Sequence, residues 1–208
     1  MTDTADAADV NARHAEKMKQ RKALKEELLA EKTGEKGLVI VHTGSGKGKT
    51  SAALGMVFRH IGHEQPVAVV QFIKSADWDT GEKKLLRRFP DLVTLKVMGE
   101  GFTWDTQDRE RDIAAARAAW EAAKELIRDD RHRLVLLDEL NIVLRYDYLP
   151  VEEVVAFLRH EKPEMKHVVV TGRNAKPELM EIADLVTEMT LVKHPFRAGI
   201  KAQQGIEF

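Results

Sequence analysis

The chain has 208 residues, 43% hydrophobic, 32% charged and 6% aromatic, with a net charge of -1 and zero cysteines. This is the profile of a soluble globular protein with one main core. It excludes disulfides, Cys-ligated zinc, iron–sulfur clusters and thiol nucleophiles, and it provides no overall positive charge to attract nucleic acid. No apolar run approaches the ~20 residues of a membrane span, and the acidic opening MTDTADAADV lacks the basic-then-apolar order of a secretory signal. A cytoplasmic protein with no membrane and no nucleic-acid partner is expected.

In chain order, the first ten residues read as a loose acidic tail. Residues 10 to 33 have the spacing of a highly charged helix whose sparse apolar stripe, Met18, Leu24 and Leu28, cannot hold it in place alone. Its basic stretch, Arg13, Lys17, Lys19, Arg21, Lys22 and Lys25, is a solvated face or a nucleic-acid arm. Glu26, Glu27 and Glu31 cancel half of that charge and favour the solvated face. Gly34 and Gly37 bracket a linker, which divides the chain into residues 1–36 and a main domain over 37–208.

From there short apolar runs alternate with helical segments. The runs are LVIV (38 to 41), VAVV (67 to 70), LVTLKV (92 to 97), LVLL (134 to 137), HVVV (167 to 170) and LVTEMTLV (185 to 192). Most are continuous rather than alternating, as expected of strands buried on both faces of a parallel sheet. Helices are expected over Lys49 to Ile61, Gly81 to Phe89, Asp108 to Arg128, Val151 to His160 and Pro177 to Ala183, punctuated by Gly62, Pro90, Pro150 and Asn174. The alternation predicts a three-layer α/β sandwich with a mainly parallel sheet.

The stretch VHTGSGKGKTS (41 to 51) joins the first apolar run to the first crossover helix. A glycine-rich turn from a buried strand into a helix aims successive N–H groups at one spot, where the helix dipole adds positive charge. Gly44, Ser45, Gly46, Gly48 and Ser51 form this cradle, Lys47 and Lys49 add full charges for phosphate, and the Thr50 hydroxyl is placed to ligate Mg2+. The spacing departs from the usual phosphate loop, because Thr43 stands where a glycine is normal and Lys47 is extra. Both changes imply an altered backbone path and a more positive cradle. The other half of such a site is an acidic pair after a second buried strand. LVLLDELN supplies it as Asp138 and Glu139, which either hold the metal ion or cap the following helix. Glu139 also has the chemistry to orient a water molecule, so the inventory permits hydrolysis.

MGEGFTWDTQDRE (98 to 110) places Phe102 and Trp104 two apart in a polar loop at the C-terminal end of a strand, the edge where open α/β sheets bind ligands. The two rings either pack beneath the next helix or form a wall for a large, flat, apolar substrate. His60 and His63 lack the spacing and the carboxylate of a catalytic zinc site.

The set TGSGKGKT, VVQFIK, GFTWDTQDRE, LDELN, YDYLP, VTGR and KHPFRAGIKAQQGIEF, in this order over about residues 12 to 208, resembles the P-loop type of ATP:corrinoid adenosyltransferase. The resemblance implies a RecA-like P-loop NTPase fold, usually homodimeric, preceded by an N-terminal helix that acts as a lid over the corrinoid. It implies ATP as co-substrate and Mg2+ (or Mn2+) as cofactor, with reduced flavin or flavodoxin as electron donor. The 5′-deoxyadenosyl group passes to Co(I) and triphosphate leaves intact. By the same match Phe102 and Trp104 pack against the cobalt face and displace its lower axial ligand, and Arg59 and His194 lie near the nucleoside. A RecA-like ATPase or small-molecule kinase is the alternative that the loop alone allows.

Overall fold

The structure is a computed structural model that describes residues 3–75, 80–99 and 108–207. The chain divides into two compact units, the first ending at Glu35 and the second beginning at Lys36.

The first unit is one long helix, α1 (Asp3–Ala30). The expected loose tail is therefore helical almost from its start. The opening is rich in alanine, the best helix former, and its aspartates stand at the end where the helix dipole favours negative charge. Farther along, Asp9 pairs with Arg13, and Lys22 with Glu26 at 3.7 Å, both at i,i+4 spacing. Such pairs stabilise an isolated helix by about 0.2–0.5 kcal/mol each. Val10, Met18, Leu24 and Leu28 are exposed.

The second unit is built on a sheet of strands β1 (Val39–Thr43), β2 (Val67–Ser75), β3 (Val93–Gly99), β4 (Leu134–Asp138), β5 (His167–Thr171) and β6 (Leu185–Glu188). Among the described residues their order is β3-β2-β4-β5-β1-β6, and every pairing is parallel. The helices are α2 (Lys49–Gly62), α3 (Gly81–Leu86), α4 (Arg109–Arg128), α5 (Leu140–Arg145), α6 (Val151–His160) and α7 (Pro177–Ile182). The result is an α/β fold of the P-loop NTPase type.

The continuous apolar runs have the predicted cause. Successive strand residues point to opposite faces, and both faces are covered. Val39, Val41, Val135, Leu137, Val168 and Val170 pack with Trp120 of α4 and Phe157 of α6. Ile40, Leu134, Leu136 and Val169 meet Leu54, Val57 and Ile61 of α2 on the other side. Trp120 stands edge-on to Phe157, with ring centroids 5.3 Å apart. Truncating a core aromatic of this kind to alanine costs about 3–5 kcal/mol.

Two strands differ from expectation for one physical reason each. β3 is an edge strand, and most of it is only half-buried. β6 ends at Glu188 rather than Val192, because the next backbone is diverted to the phosphate loop. Met189 N–H donates to Thr43 O at 2.9 Å, and Met189 O accepts from Gly46 N–H at 2.6 Å.

The register brings the chemistry to one edge. Gln71 of β2 pairs with Asp138 of β4 in the sheet ladder, Leu137 with Val170, and His42 with Thr171. The last residues of β1, β4 and β5 therefore lie side by side at the C-terminal end of the sheet, the end at which parallel α/β sheets bind ligands.

Candidate active site

The loop between β1 and α2 is shaped by backbone contact. Gly44 (φ 98°) and Gly48 (φ 104°) adopt left-handed conformations, and a Cβ on Gly46 would come within 2.5 Å of Thr190 O. A side chain at Gly46 would lever the loop off the Met189–Thr190 backbone, so glycine is required there by space. Thr43 also has its reason. It is the buried last residue of β1, and its Oγ1 accepts a hydrogen bond from Ala175 N–H at 3.0 Å, tying the start of the loop to the segment after β5. A glycine would lack that acceptor.

Lys49 is the first residue of α2 and is only 8% exposed. Its Nζ donates to Gly44 O at 2.9 Å and to Gly46 O. Burial pushes its pKa below the ordinary lysine value, Glu139 pulls it back up, and the charges of Arg173 and Lys47 lower it further. Two lysines, an arginine and the N-terminus of a 14-residue helix thus converge, and an anion with several charges is what relieves their mutual repulsion.

The acidic pair divides its tasks. Asp138 is almost fully buried. Its Oδ1 accepts from Thr50 Oγ1 at 2.9 Å and from Thr171 Oγ1 at 2.8 Å, and its Oδ2 accepts from Gln71 Nε2 at 3.1 Å. These donors satisfy the buried carboxyl group, and it in turn orients the hydroxyls of Thr50 and Thr171. Glu139 adopts a left-handed backbone (φ 65°), uncommon for a residue with a Cβ and supported by Glu139 N–H donating to Thr171 Oγ1 at 3.0 Å. That turn brings Glu139 into the wall of the cavity. Gly172 (φ 127°) permits the close approach, since a Cβ there would stand 2.8 Å from Asn141 Cβ and 3.1 Å from Glu139 Oε2.

The cavity has a volume of about 590 Å³ and is lined by Lys47, Lys49, Thr50, Glu139 and Arg173, with Phe58 on its apolar side. Gly46, Gly48 and Ser51 also line it; Gly44 and Ser45 belong to the same loop without doing so. Thr50, Asp138 and Glu139 offer only oxygen donors, the chemistry that Mg2+ or Mn2+ takes. Among the described residues no three His, Cys, Asp or Glu side chains form a cage, so a cation here would complete its shell with nucleotide and water oxygens. The residues present fit such an ion.

Arg59 is exposed near the end of α2, and His194 Nδ1 accepts from Phe196 N–H at 3.1 Å; neither lines the cavity. Phe102 and Trp104 lie outside the described residues. Three groups were given no role by sequence reasoning. Arg173 ends the VTGR motif, and its place after the buried strand β5 was the available signal. Thr171 ends β5 as Asp138 ends β4, and Gln71 lies in the middle of β2 beside Asp138, but a lone Gln or Thr in an apolar run carries no distinctive pattern.

Residues 35–208 match the family model described as ATP:corrinoid adenosyltransferase BtuR/CobO/CobP. The chain is 63% identical over 205 residues to a corrinoid adenosyltransferase of Sinorhizobium sp, covering 98% of this chain and 95% of that one. It is 54% identical over 203 residues to a corrinoid adenosyltransferase of Pseudomonas aeruginosa, covering 98% and 99%. With the corrinoid adenosyltransferase of Escherichia coli K12 the identity is 46% over 180 residues, covering 86% and 90%. With a phosphate loop, a paired acidic strand end and a family match over nearly its whole length, the chain belongs to the ATP:corrinoid adenosyltransferase family.

Proposed function

We propose that this corrinoid adenosyltransferase of cobalamin biosynthesis or salvage holds ATP by its triphosphate, as a leaving group, and presents C5′ to the reduced cobalt of its corrinoid substrate. The observation that carries the reading is the convergence of Lys47, Lys49, Arg173 and the N-terminus of α2 on one cavity beside the Thr50–Asp138–Glu139 cluster.

The electron pair of Co(I) forms the cobalt–carbon bond to C5′. The C5′–O bond breaks, its pair leaves on the triphosphate, and no proton need move. Alignment and charge neutralisation are then what the barrier requires. Lys47, Lys49 and the loop around Gly44, Ser45, Gly46, Gly48 and Ser51 take the phosphate charge. Thr50 and Glu139 would hold Mg2+ (or Mn2+), with Asp138 orienting Thr50, and the ion would supply further neutralisation of the departing oxygens. Phe102 and Trp104 are assigned to the cobalt face, where loss of an axial ligand eases reduction of the metal. Arg59 and His194 are assigned to the nucleoside. The electron donor is a reduced flavin or flavodoxin. A homodimer is supported by the apolar side chains of Leu185, Val186 and Phe196, which are exposed in the single chain.

The reading is tested anaerobically with ATP, Mg2+ and a reduced corrinoid, following phosphorus products and the corrinoid spectrum. A light-sensitive alkylcobalt product with stoichiometric triphosphate is expected. ADP and phosphate with an unchanged corrinoid spectrum would overturn it in favour of a hydrolase or kinase.

A further inference from the structure

The C-terminal turn enters the phosphate cavity. Ile206 N–H and Glu207 N–H both donate to Gln203 O, at 3.1 and 2.9 Å, and the turn they close delivers the Glu207 carboxylate to Lys47 Nζ. The Glu207 side chain is 15% exposed in this pair, against 52% for Lys47. Gly205, Ile206 and Glu207 line the same cavity as Lys49, Thr50 and Arg173. An anion belonging to the chain itself is therefore seated on one of the cations that the triphosphate reading assigns to phosphate.

We propose that the C-terminal turn is an internal competitor for the triphosphate subsite, with Glu207 and the phosphates holding Lys47 in alternation. The inference rests on the reading of the loop as a triphosphate cradle. Donor count alone does not force exchange, because an ammonium group has three N–H donors. Charge does: a carboxylate and a triphosphate gathered on the same lysine repel each other, and the half-enclosed cavity screens them less than bulk water.

The arrangement answers a problem that the cradle creates. Two lysines, an arginine and a helix N-terminus that neutralise the leaving group also retain it after the bond has broken. A carboxylate tethered in the same chain is present at high effective concentration and retakes Lys47 as the triphosphate leaves. The turn is also cheap to displace. The segment leading to it has Val192 and Ile200 exposed and Ile206 of the turn itself is 78% exposed, and segments with few buried apolar contacts open locally at small free-energy cost.

The test uses the full chain and inorganic tripolyphosphate as the probe, with binding measured by calorimetry for wild type, Glu207→Gln and Glu207→Asp. Glu207→Gln should bind roughly three- to fivefold tighter, the upper range for removal of a partly exposed competing ion pair. Product inhibition by tripolyphosphate during turnover should strengthen in proportion. Glu207→Asp, which keeps the charge, should stay within about twofold of wild type. Equal or weaker binding by Glu207→Gln overturns the competitor and leaves the cradle standing, as does Glu207→Asp behaving like Glu207→Gln. If none of the three proteins binds tripolyphosphate, the cradle reading falls and the competitor falls with it.

Discussion

The centre of the sheet and its β6 edge are built on opposite terms. In β4 and β1 every residue is buried, and β5 is buried apart from its first residue. The strand ends carry groups fixed by several bonds each, such as Asp138 with its three donors. In β6 three of four residues are exposed, and the chain that follows leaves Val192 92% exposed. Yet both regions serve the same cavity: Lys49, Thr50 and Glu139 line it beside the central strands, and Met189, just past β6, holds the backbone of the loop whose Lys47 meets Glu207 there. The contrast separates a part whose polar groups are held by several bonds each from an edge that is paired on one side only and exposed in the single chain.

That comparison can be broken most sharply at Lys49. Lys49→Ala should lower kcat/KM by roughly 10²–10³-fold, the range for removing one preorganised group facing developing charge, while circular dichroism reports a retained fold. A loss below tenfold would place the phosphate charge elsewhere. At Thr171 the effect should be read in stability first. Thr171→Val keeps the shape but removes the donor to Asp138 and the acceptor for Glu139 N–H. Leaving buried polar groups unpaired costs about 1–3 kcal/mol, seen as a lower urea midpoint at unchanged slope. An unchanged midpoint would show that the strand-end network is not rigid.

The smallest effect belongs to the edge. Asp184, just before β6, accepts from Val39 N–H at 2.9 Å and pairs with Lys36. Burial raises its pKa, but the Lys36 ammonium and the Val39 N–H outweigh burial and hold it below the ordinary value. A depressed pKa in the folded state adds stability above the unfolded value, about 3.9 for Asp, which is lost as pH falls through the folded one. Asp184→Asn should therefore cost up to about 1 kcal/mol at neutral pH, and the two proteins should converge in acid. A deficit that persists in acid would mean that packing, not charge, is being measured.

Much of the centre was legible in the sequence because its physics is local. LVIV, LVLL and HVVV read as doubly buried strands, and GSGKGKT and LDE read as two halves of one site, since apolar runs and glycines report burial and tight backbone directly. The remainder depends on long-range register. Nothing in the run VVQF marks Gln71 as a partner of Asp138; that follows only when β2 lies beside β4. Thr43 reads as a replaced glycine in the sequence, and its reason lies far along the chain, in the Ala175 N–H that donates to it. The early end of β6 is likewise set by Gly46 and Thr43, not by the apolar residues of LVTEMTLV.

The central claim, that the cradle holds the whole triphosphate while the bond to C5′ breaks, is tested most directly with ATP carrying heavy oxygen at the bridging 5′ position. After anaerobic turnover with a reduced corrinoid, mass spectrometry should find all of the label in the released triphosphate. Label retained on a nucleoside product would mean that a P–O bond had broken and would contradict the account.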